Sequence, residues 1–206
     1  MPRAYDRAIT IFSPEGRLYQ VEYALELVKR GAPIVGVASP EGVVLAANET
    51  PESELEDPEY FRKIYQLDDH LASAISGLSS DARVLIGQAR VYCQSNKLLY
   101  DEAVDVEILA RRLGDMSQAY TQHAGVRPFG VTMILAGVDA TGPRVLTTDP
   151  SGAYRGFKAI AVGRKNDEAN RLLEEKYSDA LTLEDAIKLA IEAVKVASGT
   201  DVNEET

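Results

Sequence analysis

The order of patterns in this 206-residue chain predicts an α+β fold: two antiparallel sheets stacked face to face, with helices on their outer sides. Short apolar runs bounded by turn residues come in two groups, and each group is followed by a pair of amphipathic helical patterns. With 45% of its residues hydrophobic, the chain has the material for one ordinary domain with a substantial core.

A further helix stands ahead of the first group. Ser13-Pro14-Glu15-Gly16 is a chain-reversal signal, because proline fixes φ at the second turn position and glycine accepts a tight or left-handed geometry. Leu18, Val21, Leu25 and Val28 then recur at three- and four-residue steps, and Gly31 after Lys29-Arg30 is a C-terminal stop, so a helix is predicted over 18–30. Taken by itself, this helix reads as a cover for the domain's own core.

Strands are predicted over 34–38, 43–47, 64–67 and 71–75, separated by turn signals such as Ser39-Pro40-Glu41-Gly42 and Asp68-Asp69. Helices follow over 80–95, with Ser79 or Ser80 as N-cap and Asp81 in the first turn, and over 106–122, with Asp105 as cap. The second strand group covers 131–138, 144–148 and 159–162, joined by hairpin turns at Ala140-Thr141-Gly142-Pro143 and Asp149-Pro150-Ser151-Gly152. Helices over 167–177 and 183–196 close the pattern, the last opened by Thr182 with Asp185 three residues on, in the manner of a capping box.

Composition removes several classes of function. A formal charge of −10 repels phosphate backbones and anionic lipid surfaces, so neither nucleic acid nor membrane is an expected partner. No apolar run approaches the roughly 18–20 residues of a membrane span, and Met1-Pro2-Arg3-Ala4-Tyr5-Asp6 has no apolar signal core, which points to the cytoplasm. Cys93 is the single cysteine and reads as a packing thiol. With His70 and His123 the only histidines, a zinc site of the usual kind cannot be assembled, and no metal or cofactor is expected.

Tyr5-Asp6-Arg7 followed by Ser13-Pro14-Glu15-Gly16-Arg17-Leu18-Tyr19-Gln20-Val21-Glu22-Tyr23-Ala24 resembles the N-terminal signature of proteasome α-subunits, above all the archaeal type. The similarity extends to about Val196 through Ser76-Gly77-Leu78, Ser80-Asp81-Ala82-Arg83, Tyr120-Thr121-Gln122, Gly125-Val126-Arg127-Pro128-Phe129-Gly130 and Asp149-Pro150-Ser151-Gly152. It implies the four-layer αββα sandwich of N-terminal-nucleophile hydrolases. It also implies a division into a gating segment and turn over 1–17 and a single domain over 18–206, which begins with a helix that packs between ring neighbours. Family members usually continue with two more strands and a helix, whereas this chain stops at Thr206, so the last strands and helix are expected to be lacking and a sheet edge left open.

Catalytic members of that superfamily use a threonine hydroxyl as nucleophile and its freed amine as base, with a lysine and an acidic residue beside it. Matching Ile34-Val35-Gly36-Val37 to their first strand puts Ala32 at or beside the nucleophile position and Asn48 near the acidic one; only Lys63 of the trio remains. Alanine has no oxygen with which to attack a carbonyl, and Pro33 opposes self-processing. No Ser-His-Asp spacing or phosphate-binding glycine loop stands out elsewhere, so Ser76, Asp81 and His123 read as structural.

By itself Lys63 reads as an exposed strand-end lysine. The resemblance implies that it lines an activator-tail pocket between neighbouring subunits, with Glu22, Gly31 and Leu78, and meets the C-terminal carboxylate of a regulatory AAA ATPase. It implies a gate-opening cluster of Tyr5, Asp6, Pro14 and Tyr23, whose hydroxyls and carboxylate can form a hydrogen-bonded belt. Two departures stand against the family pattern. Glu52, Glu54, Glu56, Asp57 and Glu59 replace the usual basic run, and Leu25 stands where relatives commonly have arginine. The tail before Tyr5 is also short. The implied function is a non-catalytic member of the outer heptameric ring, which partners itself, β-subunits, the ATPase and unfolded substrates in transit. Two alternatives stand beside it: a divergent ring or cap protein that no longer accepts the usual activator, and a hydrolase with its nucleophile elsewhere.

Overall fold

The structure is a computed structural model and describes residues 11–199 apart from 52, 54, 58, 59 and 61. Helix α1 (Tyr19–Lys29) is followed by β1 (Ile34–Ser39), β2 (Gly42–Ala47), β3 (Ile64–Asp68) and β4 (Leu71–Gly77). Helices α2 (Ser79–Tyr100) and α3 (Val106–Gln122) precede β5 (Val131–Asp139), β6 (Gly142–Thr148), β7 (Tyr154–Phe157) and β8 (Ala159–Val162), and α4 (Asn166–Lys176) and α5 (Leu183–Ser198) come last. Among the described residues one sheet has the order β2-β1-β8 and the other β3-β4-β5-β6-β7, and every pairing is antiparallel.

Four layers follow from the two-residue period of strands whose faces are both apolar. Val35, Val37 and Ala161 point to α4 and α5, where Leu173, Leu189 and Ala193 are buried. Ile34, Ile134, Ala136 and Val145 fill the space between the sheets. Ile75, Met133, Leu135 and Leu146 face α2 and α3, packing on Leu85, Cys93, Leu109 and Leu113. The expected αββα layering is the observed one. Cys93 is fully buried, and that burial pushes its thiol up to about 11, away from reactivity.

Several element ends differ from expectation. Neither Ser79 nor Ser80 caps α2; Leu78 holds the N-cap position without a side-chain bond. The helix also runs on to Tyr100, beyond the predicted end; its last turn projects Leu98 and Leu99 outward, which breaks the amphipathic signal there. Asp105 is the N-cap of α3 but makes no capping bond; Asp139 Oδ2 accepts the Val106 amide instead, at 2.9 Å. Thr182 behaves as expected, its Oγ1 accepting from the Asp185 amide at 3.2 Å and donating to Asp185 Oδ2 at 2.9 Å. Strand β7 is an addition: Tyr154, Arg155 and Gly156 are exposed on an edge, so nothing apolar marks it in sequence. At the edge of the smaller sheet, Asn170 takes both the amide (2.8 Å) and the carbonyl (3.1 Å) of Ala161 in β8, closing that position to further pairing.

Candidate functional site

Ala32 sits in the short link between α1 and β1, and the backbone on both sides of it is tied down. Gly31 N–H donates to Val28 O at 2.9 Å, Arg164 N–H to Gly31 O at 2.9 Å, and Asn48 N–H to Pro33 O at 3.0 Å. Ser76 Oγ lies 3.0 Å from Ala32 O and 3.3 Å from Val28 O. At this position there is a methyl group and an amide nitrogen within the chain, where an N-terminal nucleophile needs a hydroxyl and a free amine. Asn48 is also committed to structure, donating through Nδ2 to Ser198 Oγ at 2.7 Å and accepting from the Thr50 amide at 2.9 Å.

Lys63 is only 8% exposed, which corrects the reading of it as an exposed strand-end lysine. Segments distant in sequence hold its backbone: Ile75 N–H donates to Lys63 O at 2.9 Å, and Glu49 Oε1 accepts from the Lys63 amide at 2.5 Å and the Ile64 amide at 3.2 Å. On β4, beyond Ile75, come Ser76 and Gly77 and then Leu78. A Cβ on Gly31 would fall 2.5 Å from Ser76 Oγ and 2.6 Å from Gly77 N, so the end of α1 approaches this strand as closely as backbone allows. Gly31, Leu78 and Lys63 thus border one junction. Glu22 does not: it lies nine residues up α1, about 13 Å along the axis from Gly31. There it pairs with Arg17, whose Nε donates at 2.9 and 3.1 Å, and the guanidinium holds the Glu22 carboxyl below its usual range. Both line a groove of about 680 Å³ between α1 and the strands β6 to β8.

Of the expected gate cluster, Tyr5 and Asp6 lie outside the described residues. Pro14 occupies an exposed turn closed by Gly16 N–H to Ser13 O at 2.8 Å and Ser13 N–H to Arg17 O at 2.9 Å. Tyr23 is half exposed and stacks on Tyr19 with ring centroids 6.4 Å apart, while the Arg17 guanidinium lies over Tyr19 at 4.9 Å. The turn and the aromatic pair are therefore neighbours through Arg17.

One polar contact beside the junction is not legible in sequence as a pair. Arg127 donates to Asp81 through Nη1 (2.6 Å) and Nη2 (2.8 Å), and the Gly130 amide donates to the same carboxylate at 2.8 Å. These bonds, the Arg127 fork first, hold the Asp81 carboxyl below its usual range. Gly130 in turn accepts from the Leu78 amide at 2.9 Å, and a Cβ on it would meet Leu27 of α1 at 2.7 Å. The clamp thereby sets the seat on which the end of α1 rests. Both residues belong to recognisable motifs, but 46 positions separate them, so their contact has no local signal.

Among the described residues no group of three His, Cys, Asp or Glu side chains could hold a metal, and no helix is long and apolar enough to cross a membrane. Comparison with known proteins matches residues 28–206 to the proteasome subunit family model and residues 5–26 to the N-terminal signature of A-type proteasome subunits. The proteasome alpha subunit of Methanocaldococcus jannaschii is 51% identical over 96% of this chain and 76% of its own length. The corresponding proteins of Methanopyrus kandleri (49%; 95% and 79%) and Thermococcus sibiricus (51%; 92% and 73%) are similarly related. Two matching family models and half-identity over nearly the whole chain place it without ambiguity: the chain belongs to the proteasome subunit family, as an alpha-type member.

Proposed function

We propose that this chain is a non-catalytic ring subunit of a proteasome core particle in the cytoplasm. It forms a seven-membered outer ring, supports assembly of the β-ring, gates the passage of unfolded substrates and docks a regulatory ATPase in ATP-dependent protein degradation. The observation that carries the reading is the Gly31-Ala32-Pro33 link, a continuous and hydrogen-bonded strand entrance with a methyl group at the nucleophile position. The alpha-type relatives agree with it.

Restoring the hydroxyl alone does not restore chemistry. In Ala32→Thr the nitrogen remains in a peptide bond, so an electrophilic threonine probe leaves the variant unlabelled while it labels the catalytic subunits. Labelling of the parent chain removes the non-catalytic reading; labelling of the variant alone would show that the missing hydroxyl is all that keeps the position inactive.

Gating is the work of residues 1–17, with activator tails wedging the Pro14 turn outward and Tyr5, Asp6 and Tyr23 favouring the open arrangement. Lys63 receives the tail's carboxylate, a charge-assisted contact of roughly 1.5–3 kcal/mol when partly desolvated. Asp6→Ala abolishes activator-stimulated degradation of an unfolded protein by the assembled particle and leaves cleavage of short peptides measurable. Undiminished protein degradation would remove Asp6 from the gate.

A further inference from the structure

Glu49 is half-buried, and its carboxylate is fixed by two backbone amides, one of them belonging to Lys63 itself. A held negative charge therefore stands within a side-chain length of the ammonium that the pocket uses. It does not stand alone. From Asn48 to Lys63 the chain carries Glu49, Glu52, Glu54, Glu56, Asp57 and Glu59 against Arg62 and Lys63, and Glu56 and Asp57 are exposed.

A terminal carboxylate approaching Lys63 is attracted by one fixed charge and opposed by another of comparable range. In a partly desolvated site, charges several ångströms apart change an affinity severalfold. A tail that also carries a cation reverses the second contribution. We infer that Glu49 is a specificity-determining residue of the Lys63 pocket. It selects activator tails that bring a lysine or arginine side chain together with the terminal carboxylate over tails whose only charge is that carboxylate. This rests on the reading of Lys63 as a tail-binding residue.

The test uses assembled rings of the parent chain, Glu49→Gln and Lys63→Ala. The probes are labelled ten-residue peptides ending in Leu-Tyr-Ala, after the hydrophobic-tyrosine-any-residue activator tail that the family resemblance implies: one otherwise uncharged, one with arginine just before the leucine, and an amidated form of the first. Glutamine keeps an oxygen for the two amides, so the substitution removes charge and not the local fold. At low salt Glu49→Gln tightens the uncharged free-acid peptide about three- to tenfold and narrows the advantage of the arginine peptide. The change narrows at about 1 M salt, where the screening length in open solvent is near 3 Å and a partly buried pair is screened less, and is absent for the amidated peptide. Unchanged binding of the free-acid peptide overturns the inference, as does an effect of the same size at high salt as at low, or one that extends to the amide. If Lys63→Ala weakens the free-acid peptide while Glu49→Gln is silent, the pocket stands and the selectivity falls. If Lys63→Ala changes nothing, the pocket reading falls with it.

Discussion

Gly77→Ala is expected to be the most damaging single-methyl change in the chain, lowering stability by about 3 kcal/mol or more and the melting temperature by roughly 10 °C for a domain of this size. Two effects combine. Gly77 has φ +116°, a conformation that side-chain-bearing residues rarely adopt, and its Cβ would lie 2.2 Å from Gly130 O and 3.0 Å from Val131 Cα. Both obstacles are backbone, held by the pairing of Gly77 with Val131 at the end of β4 and by the bond from Leu78 N–H to Gly130 O. Neither can rotate aside. Gly16→Ala is the control, because Gly16 also has positive φ (+78°) but nothing lies within 4 Å of its Cβ; it costs about 1 kcal/mol. Thermal melts of the two variants separate clash from conformational strain. Melting of Gly77→Ala within a degree or two of Gly16→Ala would mean that the junction yields, and that the end of α1 is not held as closely as the distances indicate.

The same junction shows where sequence reasoning reaches and where it stops. Layering is legible because apolar runs such as those of β1 and β5 are continuous yet short, which suits strands buried on both faces, and because the helices come in pairs between them. The identity of Ala32, a residue with no hydroxyl at the entrance to β1, is legible too, since it needs no fold to be read. Burial of Lys63 is not, because it arises where Glu49 and Ile75 are brought to it by the fold from two other segments. Strand β7 gives no signal because an exposed edge has no apolar face to write into the sequence. Glu22 and Lys63 share a pocket in the family resemblance but not within this one chain, where Glu22 is engaged by Arg17. The resemblance puts that pocket between subunits, an arrangement of which one chain holds only a part.

Removing the Asp81 carboxylate should be the second largest effect, and its dependence on pH identifies the cause. In Asp81→Ala the Arg127 fork loses both carboxylate oxygens and the buried Gly130 amide loses the oxygen it donates to. Leaving such groups unsatisfied costs about 2–4 kcal/mol. Arg127→Ala should cost less, about 1 kcal/mol, because the arginine side chain is 58% exposed and water screens its charge. The carboxyl's folded-state pKa is depressed, so its contribution is fully present above the unfolded value near pH 4 and is lost as the pH falls through the lower folded value. The gap in melting temperature between the parent and Asp81→Ala is therefore constant from about pH 7 to 5 and narrows below about pH 4. Because Gly130 seats Leu27, amide exchange in the last turn of α1 should accelerate in the variant along with the 124–130 loop, while α5, packed on the opposite sheet, keeps its protection. A gap that stays the same down to pH 3 would show that the ionised carboxylate is not the cause, and exchange that rises equally in α1 and α5 would show that Asp81 supports the whole fold and not the seat of α1.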